Sequence, residues 1–536
     1  MPLAGCGGGT KGGKGEPGAT AKGGSAGTAG SPSPAVPKGA WIPGFVAKMS
    51  PAEKVGQLFV PTFSSRADAI SLVKRYHVGG LIYFPRNMRT PEQTAAQSNA
   101  IQKSSKVPLL LGVDEEQGIV SRTPFITRFP GNMALGATRD PAAARAAAKV
   151  TGAELRAIGI NQDYAPVADV NLDPANPVIG VRSFGSDPGQ VSQLLRGAIA
   201  GYQDAGVAAT AKHFPGHGDT GTDSHTGLPV IQHSRRTWER LDAPPFKAAI
   251  AAGVDSIMSA HIVVPKLDRS GDPSTLSRTV LTGLLRGSLG YQGVIITDSL
   301  EMAGARRKYG DAATPVRAIN AGADQLLMPP NLPRAHQAVL AAVRSGTIPQ
   351  KRLDEAVGRV LRLKEARGLF RGTRADPARA AASVGTAAHK ATARMVAERA
   401  VTLVRNDGGL LPFKGRKVYV SGPKSARLAA ELGRAGVRTT TSLTAADAAV
   451  LTTLDAGSVT AARVRALGAK PVVVAALGSP YDLDGAGAAK AALATYSSGA
   501  VSVTALAEVL AGRVKPTGRL PVNAGGERAG HGLNYG

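Results

Sequence analysis

The strongest constraint on the fold is an alternation between Trp41 and about residue 370. Short apolar runs rich in β-branched residues take turns with longer amphipathic stretches. Such alternation marks repeated βα units around a parallel sheet. Eight runs can be counted: 57–60, 80–84, 109–114, 159–169, 207–215, 256–262, 294–298 and 323–328. Helix-start signals stand between them, as in Asp140-Pro141 and Asp187-Pro188, where a capping carboxylate precedes a proline suited to the first helical turn. An open doubly wound sheet would carry a Gly-rich phosphate loop after its first strand, and none follows Phe59. The expected fold is therefore an α/β (β/α)8 barrel over residues 41–370, with its chemistry at the C-terminal ends of the strands.

At 536 residues and 43% hydrophobic content, the chain is long enough for a second core. A Gly/Arg/Ala-rich connection at 371–396 leads to a smaller unit, 397–536. Its apolar runs at 401–404, 417–420, 448–451 and 471–475 alternate with Ala-rich helical stretches, which predicts an α/β sandwich. Residues 1–40 hold almost no large apolar side chains and read as a disordered tether. The single cysteine, Cys6, excludes an internal disulfide and a cysteine-built zinc site. It closes Leu3-Ala4-Gly5-Cys6 ahead of the flexible run, an arrangement that resembles a bacterial lipobox and surface tether. The expectation is an extracytoplasmic lipoprotein acylated at Cys6 if the true start lies upstream, and a cytoplasmic protein if the given start is correct.

Lys and Arg outnumber Asp and Glu by 64 to 38, a net charge of +26. This favours anionic partners, among them a membrane surface or an anionic cell-wall polymer. Aromatic residues make up only 4% and do not interleave with the basic ones, so the stacking platform of a nucleic-acid binder is missing.

The densest chemistry follows the fifth run, in Lys212-His213-Phe214-Pro215-Gly216-His217-Gly218-Asp219-Thr220-Gly221-Thr222-Asp223-Ser224-His225. Three histidines, two aspartates and a lysine crowd into fourteen residues. A metal site would need histidines on one face of a regular element, which Pro215 and the glycines prevent, so no metal is expected. A histidine with a nearby carboxylate, His225 with Asp223, is instead suited to acid/base work near neutral pH. Lys212 and His213 stand at the strand end, where a rigid sheet can aim them at a substrate. His217 and Asp219 are expected to shape the loop. The seventh run ends in Thr297-Asp298, which aims a carboxylate at the barrel mouth.

Together, Val113-Asp114-Glu115-Glu116-Gln117-Gly118-Ile119-Val120-Ser121-Arg122, Asn171, the stretch Val178 to Gly185, the 212–225 loop, Met258-Ser259-Ala260-His261 and the ITDSLEM stretch resemble glycoside hydrolase family 3, in particular its β-N-acetylglucosaminidases. The stretch from residue 397 through SPYDL to GRLPV is similar to that family's C-terminal sandwich domain. The resemblance implies a retaining, exo-acting enzyme without a cofactor, working on terminal β-linked GlcNAc of cell-wall fragments or chitooligosaccharides. Asp298 would be the nucleophile, and His225, oriented by Asp223, the acid/base. Asp114, Arg122, Arg182, Lys212 and His213 would bind the terminal sugar. Gln117 departs from the pattern, standing where the family usually has glycine. A neutral imidazole repels phosphate less than a carboxylate would, which keeps phosphate beside water as acceptor. The competing expectations are a β-glucosidase or β-xylosidase of the same superfamily, and a catalytically silent basic envelope protein.

Overall fold

In a computed structural model, residues 39–224, 226–372, 374–455 and 459–535 are described; Cys6 and nearly all of the 1–40 segment lie outside them. The eight runs hold eight parallel strands: β1 (Phe59–Val60), β2 (Gly80–Ile82), β3 (Leu110–Val113), β4 (Gln162–Asp163), β5 (Ala208–Phe214), β6 (Ser256–Ser259), β7 (Val294–Thr297) and β8 (Leu326–Leu327). β2 to β7 pair in sequence order, and β1 pairs with β8. Two further sets of backbone bonds close the ring. Gly79 N donates to Phe59 O and Ile82 N to Pro61 O, both at 3.1 Å, joining β1 to β2; Thr297 N donates to Gln325 O at 3.0 Å, joining β7 to β8. Every strand residue is buried, as expected of a sheet closed on itself and covered by helices.

The strands are shorter than the apolar runs that contain them. In the fourth run the regular ladder stops at Asp163, shortly before Pro166, which has no N–H to give. The start signals act as expected: Asp140 accepts from Ala142 N at 2.8 Å and Asp187 from Gln190 N at 2.7 Å, each heading a 17-residue helix.

The connection at 371–396 departs from an irregular linker. It carries the helix Pro377–Ser383 and most of Ala387–Ala400, capped by Asp376 and Thr386. Its alanines, read as connection filler, are strong helix formers once a cap is present. Beyond it lies a six-stranded sheet of β9 (Thr402–Asn406), β10 (Lys417–Ser421), β11 (Arg438–Thr440), β12 (Ala448–Thr453), β13 (Val472–Ala476) and β14 (Ala491–Ala494), in the order β11-β10-β12-β13-β14-β9. All pairs are parallel except β14 with β9.

Alternation sorts this sheet into two cores. Ala448, Val450, Val473 and Ala475 pack into one cluster with Leu428, Leu506 and Leu510 of the covering helices. Ala449, Leu451, Val472 and Val474 pack into the other, together with Met133, Ala134 and Ala137 of the barrel helix Asn132–Thr138. The second core is therefore shared with the barrel, and the chain from Trp41 onward forms one compact body.

Candidate active site

Asp114 follows β3 directly, Asp298 follows β7, Lys212 and His213 lie near the C-terminal end of β5, and Arg182 lies in the 180–182 turn beyond β4. All five gather at the C-terminal end of the barrel. Lys212 is the hub: its Nζ donates to Asp114 Oδ1 and Glu116 Oε1, both at 2.7 Å. Glu116 also receives a fork from Arg182, Nε to Oε2 and Nη2 to Oε1, each at 2.8 Å. Burial opposes charge on Glu116, but Arg182 and Lys212 outweigh it and hold the carboxyl far below the usual range. Burial likewise opposes the Lys212 ammonium, which Asp114 and Glu116 restore and keep protonated.

His213 is fixed next to this pair. Its Nδ1 lies 2.7 Å from Asp169 Oδ2, and its Nε2 lies 3.5 Å from Arg182 Nη2. Asp169 Oδ1 also accepts the backbone N–H of His213 at 3.1 Å and of His217 at 2.8 Å. One buried carboxylate thus anchors both the strand end and the start of the loop.

Asp298 could have served as the cap of the next helix. It does not: that helix, Ala303–Arg306, follows Met302 with no side-chain cap. The carboxyl instead accepts Ser299 N at 2.7 Å. Burial pushes its pKa up, while His213, His261, the Ser299 N–H and Lys212 together hold it below the ordinary aspartate value. These influences bring the ends of β5, β6 and β7 into one electrostatic site. His261 strengthens the link, with Nε2 2.9 Å from Ser299 O and Nδ1 2.8 Å from Thr275 Oγ1.

The glycine-laced loop is packed down onto the barrel. A Cβ on Gly218 would sit 1.7 Å from Val170 O, so only glycine fits there. His217 Nε2 lies 2.9 Å from Ser224 Oγ, and its pKa is lowered to about 4 by burial and by His213, so the ring is neutral. Asp219 meets His233 Nε2 at 2.7 Å, and Asp242 holds the other ring nitrogen at 2.6 Å. Asp223 O accepts Gly227 N at 2.8 Å, and Gly227 O lies 3.1 Å from where a Cβ on Gly304 would stand. The loop thereby reaches the segment just beyond Asp298. His225 lies outside the described residues. Among those that are described, no group of three His, Cys, Asp or Glu is placed to hold a metal ion.

Of the residues expected to bind the sugar, Arg122 is the least connected to the cluster. Its backbone N–H is held by Glu115 Oε2 at 2.9 Å, and its Nε is buried without a hydrogen-bond partner. Gln117 takes a left-handed conformation with φ of 64°, as a glycine would. Its buried amide spans the loop, accepting Phe129 N at 3.0 Å and donating to Thr151 Oγ1 at 3.1 Å.

Sequence reasoning did not single out Glu116, Asp169, His233, Asp242 or Tyr481. Glu116 stands between two residues that were noticed, and Asp169 ends the fourth apolar run, so both had a positional signal. Tyr481 had none beyond its motif. Asn171 Nδ2 donates to its hydroxyl at 2.9 Å, bringing the C-terminal part of the chain to the barrel mouth. A cleft of about 460 Å³ opens there, lined by Asn176, Val178 and Ile179 on one side and Asp455, Ser479 and Tyr481 on the other. Asn176 bonds His217 O at 3.0 Å and Val178 O accepts Arg182 Nη1 at 2.9 Å, so the cleft adjoins the charged cluster.

Comparison with known proteins bears on the family and the fold. Residues 51–363 match the glycosyl hydrolase family 3 N-terminal domain, and residues 438–529 match the C-terminal domain of the same family. A Cellulomonas fimi protein named β-N-acetylglucosaminidase/β-glucosidase is 37% identical over 385 residues, 70% of this chain and 68% of that protein. A β-hexosaminidase from Mycobacterium tuberculosis is 34% identical, covering 62% of this chain and 89% of its own length. Among solved structures, a family 3 β-N-acetylglucosaminidase from Paenibacillus sp. str. FPU-7 superposes with a TM-score of 0.82 at 38% identity, covering 88% of this chain and 98% of that one.

Proposed function

The chain belongs to glycosyl hydrolase family 3, and we propose that it is a retaining β-N-acetylglucosaminidase that removes terminal β-linked GlcNAc from cell-wall fragments or chitooligosaccharides. The observation that carries this reading is an ionised Asp298 at the end of β7, uncommitted to helix capping and facing the Lys212–His213 strand end. In the first step a carboxylate oxygen of Asp298 bonds to the sugar C1 as the glycosidic C1–O bond breaks. The departing oxygen takes the proton of His225, oriented by Asp223. In the second step His225 takes a proton from water, whose oxygen attacks C1 and releases the sugar and the carboxylate. Asp114, Lys212, Arg182, His213 and Arg122 hold the hydroxyls and acetamido group. Their charged, fixed geometry supports positioning without reorganisation during the reaction.

One assay discriminates the readings. The purified protein is expected to release nitrophenol from the β-GlcNAc glycoside and far less from the β-glucoside. Preference for the β-glucoside would favour the second activity in the name of the Cellulomonas fimi relative, and release from neither would favour a silent binding protein.

The proposal extends to location. The Cys6 motif supports acylation and display outside the cytoplasmic membrane, where the net charge of +26 favours an anionic cell-wall polymer or lipid surface. Mass spectrometry of the protein from its native membrane is expected to find a diacylglyceryl group on Cys6. An unmodified Cys6 in the membrane-free fraction would contradict it.

A further inference from the structure

At the other end of the barrel, beside the N-terminal ends of β7 and β8, lies a cavity of about 580 Å³. Its wall comes from the helix Thr279–Ser288, the turn at Thr347 and Pro349, and the start of the helix Gln350–Ala366. Five cations line it, Arg278, Arg286, Lys351, Arg352 and Arg359, against a single carboxylate, Glu355.

Behind the wall, Asp324 is fully buried and tied to the sheet, accepting Ile295 N at 3.0 Å. Arg286, Arg352 and Arg359 all bond to it. A single carboxylate shared by three guanidiniums leaves most of their charge uncompensated. The effect shows at Arg286, whose pKa is lowered by burial and by its neighbours Arg359 and Arg352 despite Asp324.

A purely structural role accounts for part of this. Locking Asp324 under the barrel explains one bond from each of the three arginines. It does not explain why Arg278 and Lys351 add charge to the same cavity. Nor does it explain Arg352 Nη1, which is buried with no hydrogen-bond partner while Nε and Nη2 are both engaged. A buried guanidinium N–H without an acceptor is costly.

We infer that this cavity is a binding site for a phosphate-bearing anion, with Arg359 and the unpartnered Nη1 of Arg352 as the inner donors and Arg278 and Lys351 as the outer contacts. Planar guanidiniums match phosphate oxygens in pairs, whereas a lone ammonium acts as a point charge. The volume falls in the range of about 300–1,000 Å³ usual for small-molecule sites, so it suits a diphosphate or a stretch of phosphodiester better than one phosphate ion. The site faces away from Asp298 and does not depend on the reaction proposed there.

The test is titration calorimetry of the full chain at fixed ionic strength, with pyrophosphate and with a glycerol phosphate oligomer as separate probes. Saturable one-to-one binding of at least one probe is expected. Pyrophosphate alone would identify a diphosphate-bearing small molecule, and the oligomer alone a phosphodiester polymer. The double variant Arg278→Ala with Lys351→Ala, at exposed positions outside the Asp324 cluster, should weaken binding at least tenfold and leave glycoside hydrolysis unchanged. Failure of both probes to saturate, or equal affinity in the double variant, would overturn the assignment.

Discussion

At Asp298 two opposing influences act on one carboxyl, and the cations prevail over burial. A depressed folded-state pKa means that the anion persists as pH falls from neutrality and is lost only below the ordinary aspartate range. The acid limb of kcat/KM assigned to this group should accordingly lie below the ordinary aspartate value. Asp298→Asn should cut kcat on an aryl β-GlcNAc substrate by roughly three orders of magnitude or more, as loss of a covalent nucleophile does. Glu116 makes a different point, because its own role is to neutralise Lys212 and Arg182. Glu116→Gln leaves two buried cations without their shared anion, and should cost about 3 kcal/mol in urea unfolding while raising KM. The sequence exposed Asp298, Lys212 and His213 because each ends an apolar run. It concealed the pairing of Glu116, because Asp114, Glu115 and Glu116 stand side by side and only tertiary approach decides which of them meets Lys212.

The loop after β5 shows how an element is held. Its glycines allow it to lie against the barrel, and His233 fastens it by bridging Asp219 and Asp242. Asp242 chiefly raises the pKa of His233. The clamp is therefore complete at pH below the ordinary histidine value and is lost as pH rises through the raised one. Protection factors of amides 219–224, which remove the base-catalysed rise in intrinsic exchange, should be larger at about pH 6 than at about pH 9, and His233→Gln should remove the difference. Equal protection factors in the parent protein at both pH values would contradict the clamp. His233 was invisible in the sequence because it lies beyond the dense motif, in a stretch with no pattern of its own. The eight barrel strands were legible because each is a buried run, whereas β11, Arg438–Thr440, was not: two of its three residues are exposed and it forms a sheet edge. The helices at 377–383 and 387–400 were hidden by composition, since alanine and arginine serve helix and linker equally until a cap and a packing partner appear.

The chain from Trp41 onward behaves as one body because its second sheet shares a core with the barrel. Met133, Ala134 and Ala137 pack with the face of β12 and β13 that carries Leu451 and Val474. Backbone bonds from Arg519 N to Ala137 O at 2.9 Å and from Ser186 N to Pro521 O at 3.0 Å sew the same seam. Calorimetry should show a single unfolding transition, and a chain ending at Arg371 should be poorly soluble because it leaves that face of the helix bare. Two well-separated transitions would contradict the shared core. The organisation into barrel and sandwich was readable from the alternation of runs and helices; their fusion was not, since a two-turn helix such as Asn132–Thr138 gives no sign of which sheet it will meet. The central claim, that the carboxylate at the end of β7 bonds to the sugar, has a direct test. The protein is incubated with a fluorine-substituted N-acetylglucosaminyl fluoride whose second step is slow, then digested and mapped by mass spectrometry. The account predicts one sugar adduct, on Asp298. An adduct on any other residue, or none while the reagent is turned over, would contradict it.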